Sequence, residues 1–223
     1  MNEINNTITK ISLIDKNPVD SSIDRCVNYF LNRIEISVDD LDCYIAGGCM
    51  RSYFAKEPIN DIDLFFKDRK NAVKCLIRLR KVGYRLIFSN KNAVKLVKYE
   101  KDKKSKSFID IVKRYYNSAE ETILDFDFSV CKIAYDTKTK QFYHSKNSFV
   151  DICTKKLAIP DINYGNPIGS LKRFQKYIKN GYYACNGTIL TIAKSINSID
   201  MNSPEFNEIE FYPDGRVKIL LFD

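Results

Sequence analysis

Apolar positions recur along this chain with two alternating periods, and the switches between them mark out its elements. After Ser21-Ser22, a ready N-cap, Ile23, Val27, Phe30 and Leu31 return at helical spacing, which predicts a helix ending near Ile34. Leu41 to Ala46 reads as a strand feeding a double-glycine turn, and a second strand follows from Asp61. Arg69 to Val82 reads as an amphipathic helix with Val73, Leu76, Ile77 and Leu79 as its apolar side, closed by Gly83. Tyr84–Ser89 and Ala93–Tyr99 read as strands joined by an Asn90-Lys91-Asn92 turn, and Phe108–Val112 as a buried strand. Lys101–Lys106, between them, is a basic hinge or a solvated loop. A short helix starts at Ser118, a strand runs toward Asp136, and the turn Thr137–Lys140 returns the chain to Gln141–His144. Helices are expected from Pro167 and over Thr188–Ile199. Glu208–Tyr212 and Arg216–Phe222 form a hairpin across Pro213-Asp214-Gly215. Residues 1–20 are polar and weakly periodic, a loose arm or an edge strand.

Composition narrows the class. The 223 residues suit one main domain with additions, and 44% hydrophobic residues are enough for a proper core. Met1 to Asn17 lacks the apolar stretch of a signal peptide, and no apolar run reaches the length of a membrane span. The seven Cys are scattered, with no Cys-x-x-Cys pair. That pattern predicts buried thiols in a reducing cytoplasm rather than a zinc site or a disulfide scaffold. The formal charge of +8, from 36 Lys and Arg against 28 Asp and Glu, is compatible with a polyanionic partner such as RNA, and equally with a merely lysine-rich surface.

The candidate chemistry is concentrated between Tyr44 and Asp68. Gly47 and Gly48 allow close backbone approach to a ligand, and their amides lead into a helix N-terminus, where anions are favoured. Arg51, on the first turn, is placed to reach a phosphate. Asp61 and Asp63 share one face of the next strand, because side chains at i and i+2 of a strand point the same way. Two adjacent carboxylates repel each other, and such a pair is best tolerated around a hard cation such as magnesium. Asp110 stands among Phe108, Ile109, Ile111 and Val112, which makes it a third metal ligand or a strand acid turned to solvent. A Gly-Gly pair alone is an ordinary turn and an Asp-x-Asp alone an ordinary strand end. Together, with strand, turn, helix and strand in order, they point to a nucleotide-using enzyme.

This segment resembles the signature of the polymerase-beta-like nucleotidyltransferases, and in particular the head domain of the tRNA nucleotidyltransferases and poly(A) polymerases. Gly47, Gly48 and Arg51 match its Gly-Gly-x-Val-Arg-Asp, Asp61 and Asp63 its Asp-x-Asp, and Ser52 replaces the final aspartate of the first motif. Glu120-Glu121 and Asp127-Phe128-Ser129 resemble the second motif, with Asp125, Phe126 and Cys131 in place of two arginines and an asparagine. Asp151 falls at a matching acidic place, and the stretch from Asn166 to Tyr177 resembles the neck helix. Where the family reads the base through Glu-Asp-x-x-Arg, this chain has Gly165, Asn166 and Gly169.

The resemblance implies an α+β fold with a mixed, mostly antiparallel sheet and flanking helices over residues 1–160 and a helical neck over 161–200, and the turn pattern adds a C-terminal hairpin over 201–223. It implies Asp61, Asp63 and Asp110 as metal-holding catalytic acids for two Mg2+ ions. Gly47, Gly48, Arg51, Asp127, Ser129, Asn166 and Lys172 become nucleotide-binding residues, with Lys98, Lys113 and Arg114 as further phosphate contacts or plain surface charge. The implied reaction moves a nucleoside monophosphate, AMP from ATP, to an acceptor hydroxyl and releases pyrophosphate. An RNA 3′ end, tRNA included, is the expected acceptor, with no membrane partner. Two other readings stand beside it: nucleotidylation of a protein or small molecule by a toxin or resistance factor, and a catalytically silent binding module.

Overall fold

The computed structural model describes residues 8–12, 21–99, 106–160, 167–199, 209–211 and 217–219. The elements follow in order. Strand β1 (Ile8–Ser12) precedes helix α1 (Ser21–Ile34), then β2 (Cys43–Ala46), α2 (Gly48–Phe54) and β3 (Ile62–Phe66). Helix α3 (Arg69–Lys81) leads into the meander β4 (Arg85–Ser89), β5 (Ala93–Tyr99) and β6 (Lys106–Tyr115). After α4 (Ala119–Leu124) come β7 (Ile133–Asp136), β8 (Gln141–Ser145), α5 (Ser148–Cys153) and β9 (Lys156–Leu157). Helix α6 (Pro167–Lys179), β10 (Tyr183–Ala184) and α7 (Asn186–Asn197) precede the pair β11 (Ile209–Phe211) and β12 (Val217–Ile219).

The main sheet has eight strands in the order β1-β8-β7-β2-β3-β6-β5-β4, so residues 8–12 form an edge strand. Its pairs are antiparallel except β3 with β6, which run parallel with Asp63 opposite Asp110. The fold is thus α+β and mostly antiparallel, as the resemblance implies. Local chemistry explains the element ends. The Asp68 carboxylate accepts the Asn71 amide at the start of α3, and Ser118 Oγ accepts the Glu121 amide at the start of α4. Each such cap is worth about 1 kcal/mol. In the β4–β5 turn, Asn90 Oδ1 accepts the amides of Asn92 and Ala93, the local bond that suits asparagine to turns.

Strand alternation divides the core. On one face Cys43, Ile45, Leu64, Phe66, Ile109 and Ile111 pack under α1 and α2, with Phe30, Ile34 and Met50 fully buried. Truncating a buried side chain such as Phe30 to alanine is expected to cost about 3–5 kcal/mol. On the other face Tyr44, Ala46, Phe65, Tyr116 and Ile123 form a smaller cluster with α4. Asp63 shares this second face, which α4 covers only in part.

Helix α3 corrects the expectation for its apolar side. Ala72, Cys75 and Leu79 are buried, whereas Val73 and Ile77 are 44% and 50% exposed. The small Ala72 and Cys75 fit closely over the sheet, so the bulkier pair faces outward. Of the seven cysteines, Cys153 and Cys185 are exposed and the others buried, all as free thiols. Among the described residues no helix is long and apolar enough to cross a membrane.

Candidate functional site

Strand β2 is followed by Gly47, whose φ of +83° admits the chain into α2 by a turn that side chains other than hydrogen rarely allow. A Cβ on Gly47 would stand 3.3 Å from the Phe126 ring, while one on Gly48 would meet nothing within 4 Å. Gly48 therefore presents bare backbone to open space. Arg51, one turn on, is buried, with its guanidinium over the Tyr177 ring at 4.5 Å, donating to Ser52 Oγ at 2.8 Å and lying 3.4 Å from Glu57. Its Nε is buried without a partner.

The acids converge through the sheet. Asp61 directly precedes β3, Asp63 lies within it, and Asp110 is in register with Asp63 on β6. The next strand adds a residue the sequence reading did not single out: Lys95, on β5, is in register with Asp110 from the other side. Lys95 Nζ donates to Asp110 Oδ2 at 2.8 Å and to Asp61 Oδ2 at 3.0 Å. Burial opposes the Lys95 ammonium, yet these hydrogen bonds and charges hold its pKa above the ordinary value. Burial, with the negative charges of Asp61 and Asp110 behind it, pushes the Asp63 carboxyl up to about 7. Asp110 is also raised by burial despite its bond to Lys95, and its Oδ1 is buried without a hydrogen-bond partner. Among the described residues no group of three or more His, Cys, Asp or Glu is arranged to hold a metal ion. Asp61 and Asp63 supply hard oxygen donors side by side, and Lys95 covers the share of Asp61 that faces Asp110.

A cavity of about 820 Å3 joins the two halves of the site. Its size falls within the range of small-molecule pockets. Gly47, Gly48, Asp61 and Asp63 line one wall, and Arg173 and Lys176 of α6 line another. Asp110 and Lys95 sit behind the acid pair rather than on the wall. Positive charge enters from α6: Lys176 lies near enough to counter the raised pKa of Asp63. Neither Arg173 nor Lys176 stood out in the sequence, because both read as the polar side of an amphipathic helix.

The second-motif residues occupy different settings. Asp127 lines the cavity but is only 6% exposed, and its oxygens are taken. Oδ1 accepts the Phe128 amide, and Oδ2 accepts Ser170 Oγ at 2.6 Å and Arg173 Nε at 2.8 Å. Ser129 is buried away from the cavity, donating to Asp151. Lys172 is exposed and off the cavity wall, and Asn166 lies outside the described residues. Arg114 lines the cavity paired with Asp125 at 2.7 Å, whereas Lys98 pairs with Glu35 and Lys113 donates to Ser89 and the Asn90 carbonyl, both elsewhere.

The fold is that of the CCA-adding enzymes' head region. A CCA-adding enzyme in complex with CTP superposes with a TM-score of 0.61 at 14% identity, over 82% of this chain and 46% of that one. The Thermotoga maritima CCA-adding enzyme in complex with tRNA gives 0.55 at 14% identity, over 85% and 46%. At the level of sequence, "Gabija anti-defense 2" of Bacillus phage SPbetaL7 is 26% identical over 164 residues, which are 74% of this chain and 40% of the relative. The chain thus spans less than half the length of each of these proteins. Residues 21–155, more than half of the chain, match the family described as Gabija anti-defense 2 family protein, and they carry the glycine turn and all three acids. The chain belongs to the Gabija anti-defense 2 family.

Proposed function

We propose that the chain transfers a nucleoside monophosphate, AMP from ATP, to an acceptor hydroxyl. The observation that carries this reading is the placement of Asp61 and Asp63 beside bare glycine backbone on one cavity, with Asp110 in register behind them. Asp61 and Asp63 offer carboxylate oxygens side by side at the cavity, a fit for a cation, and burial together with the charges of Asp61 and Asp110 raises the Asp63 carboxyl. Asp61 and Asp63 would hold magnesium, which supplies charge neutralisation at the triphosphate and polarises the α-phosphorus.

The chain's own groups account for the rest. The Gly47 and Gly48 backbone would meet the triphosphate at the start of α2, where Gly48 has open space beside it. Lys176 and Arg173 offset triphosphate charge from the opposite wall. Asp127 holds Arg173 by its Nε, which fixes the plane of the guanidinium. The acceptor oxygen forms the new bond to the α-phosphorus in line with the departing pyrophosphate, and its proton passes to solvent. Arg51, stacked on Tyr177 beneath the turn, holds α2 against α6 and so sets the width of the cavity.

An RNA 3′ end is the acceptor that the tRNA-complexed likeness and the +8 charge favour. A second reading rests on the family itself: a phage anti-defense protein that nucleotidylates a protein or small molecule of the Gabija system. Incubating the protein with each α-labelled NTP, magnesium and extracts of cells with and without Gabija, then resolving RNA, protein and small products, tests both. Label in RNA from either extract supports the first. Label in a product confined to Gabija-containing extract supports the second, and no labelled product in any fraction overturns nucleotidyl transfer.

A further inference from the structure

Lys95 stands where a second cation would be expected. Asp63, Asp110 and Lys95 lie in one row across three neighbouring strands, each in register with the next. From that row the Lys95 side chain reaches past Asp110 to Asp61, so that one ammonium bonds the Oδ2 atoms of both acids, at 2.8 and 3.0 Å. A metal ion shared by Asp61 and Asp110 would compete with the ammonium for these two carboxylates. It would also stand within a few ångströms of the ammonium, where like charges strongly repel in a partly buried setting. The charge count agrees. With all three carboxylates ionised, as around a bound cation, they and one ammonium carry a net charge of about −2, the complement of a single divalent ion.

We infer that Lys95 is a resident cation that takes the place of one of two metal ions, so that this site binds a single divalent ion, on Asp61 and Asp63. The inference rests on the proposed nucleotidyl-transfer reading and deepens it by assigning the metal count and a positioning residue. Lys95 neutralises Asp110 and holds Asp61 toward Asp63. The one ion arrives at the open, cavity-lining side of the pair, where the triphosphate also enters.

The test counts Mn2+ bound per chain by electron paramagnetic resonance, with a non-hydrolysable ATP analogue present, in the wild type, Lys95→Arg, Lys95→Met and Lys95→Gln. One ion is expected in the wild type and in Lys95→Arg. Two are expected in Lys95→Met and Lys95→Gln, with the spin-coupled spectrum of ions about 4 Å apart. Two coupled ions in the wild type overturn the inference while leaving the proposed function standing. One ion in a Lys95→Met or Lys95→Gln protein that melts like the wild type also overturns it. No bound ion in the wild type overturns both the inference and the metal-dependent reading beneath it.

Discussion

Asp63 and Asp110 face each other in register across the parallel pair of β3 and β6. Like charges directly opposite on adjacent strands destabilise a sheet. Neither is satisfied by the other, and what compensates them is Lys95 on one side and the open cavity on the other. The arrangement is costly for stability alone, a cost that a bound cation would offset.

Asp61→Ala and Asp63→Ala are each expected to abolish nucleotidyl transfer, by 100-fold or more on the order of electrostatic catalytic contributions, while leaving circular dichroism unchanged. Mn2+ affinity should fall in both. Wild-type turnover in either folded variant would remove the acid pair from the mechanism.

The Asp63 carboxyl also predicts how metal-free stability depends on pH. Its value of about 7 lies above the ordinary 3.8, so between those limits the folded chain keeps a proton that the unfolded chain has lost. This group's contribution is therefore full below pH 4 and is lost as pH rises toward 7, by about 1.4 kcal/mol per pH unit at most. Melting in EDTA from pH 5 to 8, compared between wild type and Asp63→Asn, isolates it. The variant should lose less stability with rising pH, and parallel curves would show that Asp63 titrates normally.

The two glycines are predicted to differ. Gly47→Ala meets both a positive φ and the Phe126 ring, and should cost about 1–3 kcal/mol. Gly48→Ala has open space around it and begins a helix, so stability should change by less than about 0.5 kcal/mol. Nucleotide affinity should nonetheless fall in Gly48→Ala, because the new methyl stands between backbone and phosphate. Denaturant melts and nucleotide titration of the pair separate the two effects.

Base selection should be loose. Arg173 spends its Nε on Asp127 and bonds Ser170 through Nη2, and Gly169 offers no side chain to a base edge. The kcat/KM values for ATP, CTP, GTP and UTP with one acceptor should lie within about tenfold of one another, equivalent to about 1.4 kcal/mol. A preference for one base near a thousandfold would show that the cavity wall reads the base by other groups.

The sequence exposed the turn and the acids because their spacing is local: Gly47 to Asp63 is one continuous run whose strand and helix periods are plain. It concealed Lys95 for the opposite reason. In Ala-Val-Lys-Leu-Val-Lys-Tyr, alternation marks Lys95 as facing away from the buried Val94 and Leu96, the ordinary place for a solvated lysine. Only the insertion of β6 between β3 and β5 brings that face to the acids. Asp127 and Ser129 illustrate a second limit. Their motif resemblance is legible, but whether a carboxylate is free for a ligand depends on partners such as Ser170, 43 positions away. The face of α3 was misjudged because hydrophobicity ranks Val73 and Ile77 above Ala72, whereas close packing on a sheet favours the smaller side chain.

The central position of β6 has a consequence for when the acid cluster forms during synthesis. Strands β4 and β5 leave the ribosome before β6, yet β6 must slot between β5 and β3, pairing residues as far apart as Asp63 and Asp110. Such non-local pairing is slow, because a long loop must close before any contact repays it. Until that strand docks, Asp61 and Asp63 sit on an open sheet edge with neither Asp110 nor Lys95 beside them. The cluster of Asp61, Asp63, Asp110 and Lys95 is thus assembled only once β6 has been made and has filled the middle of the sheet.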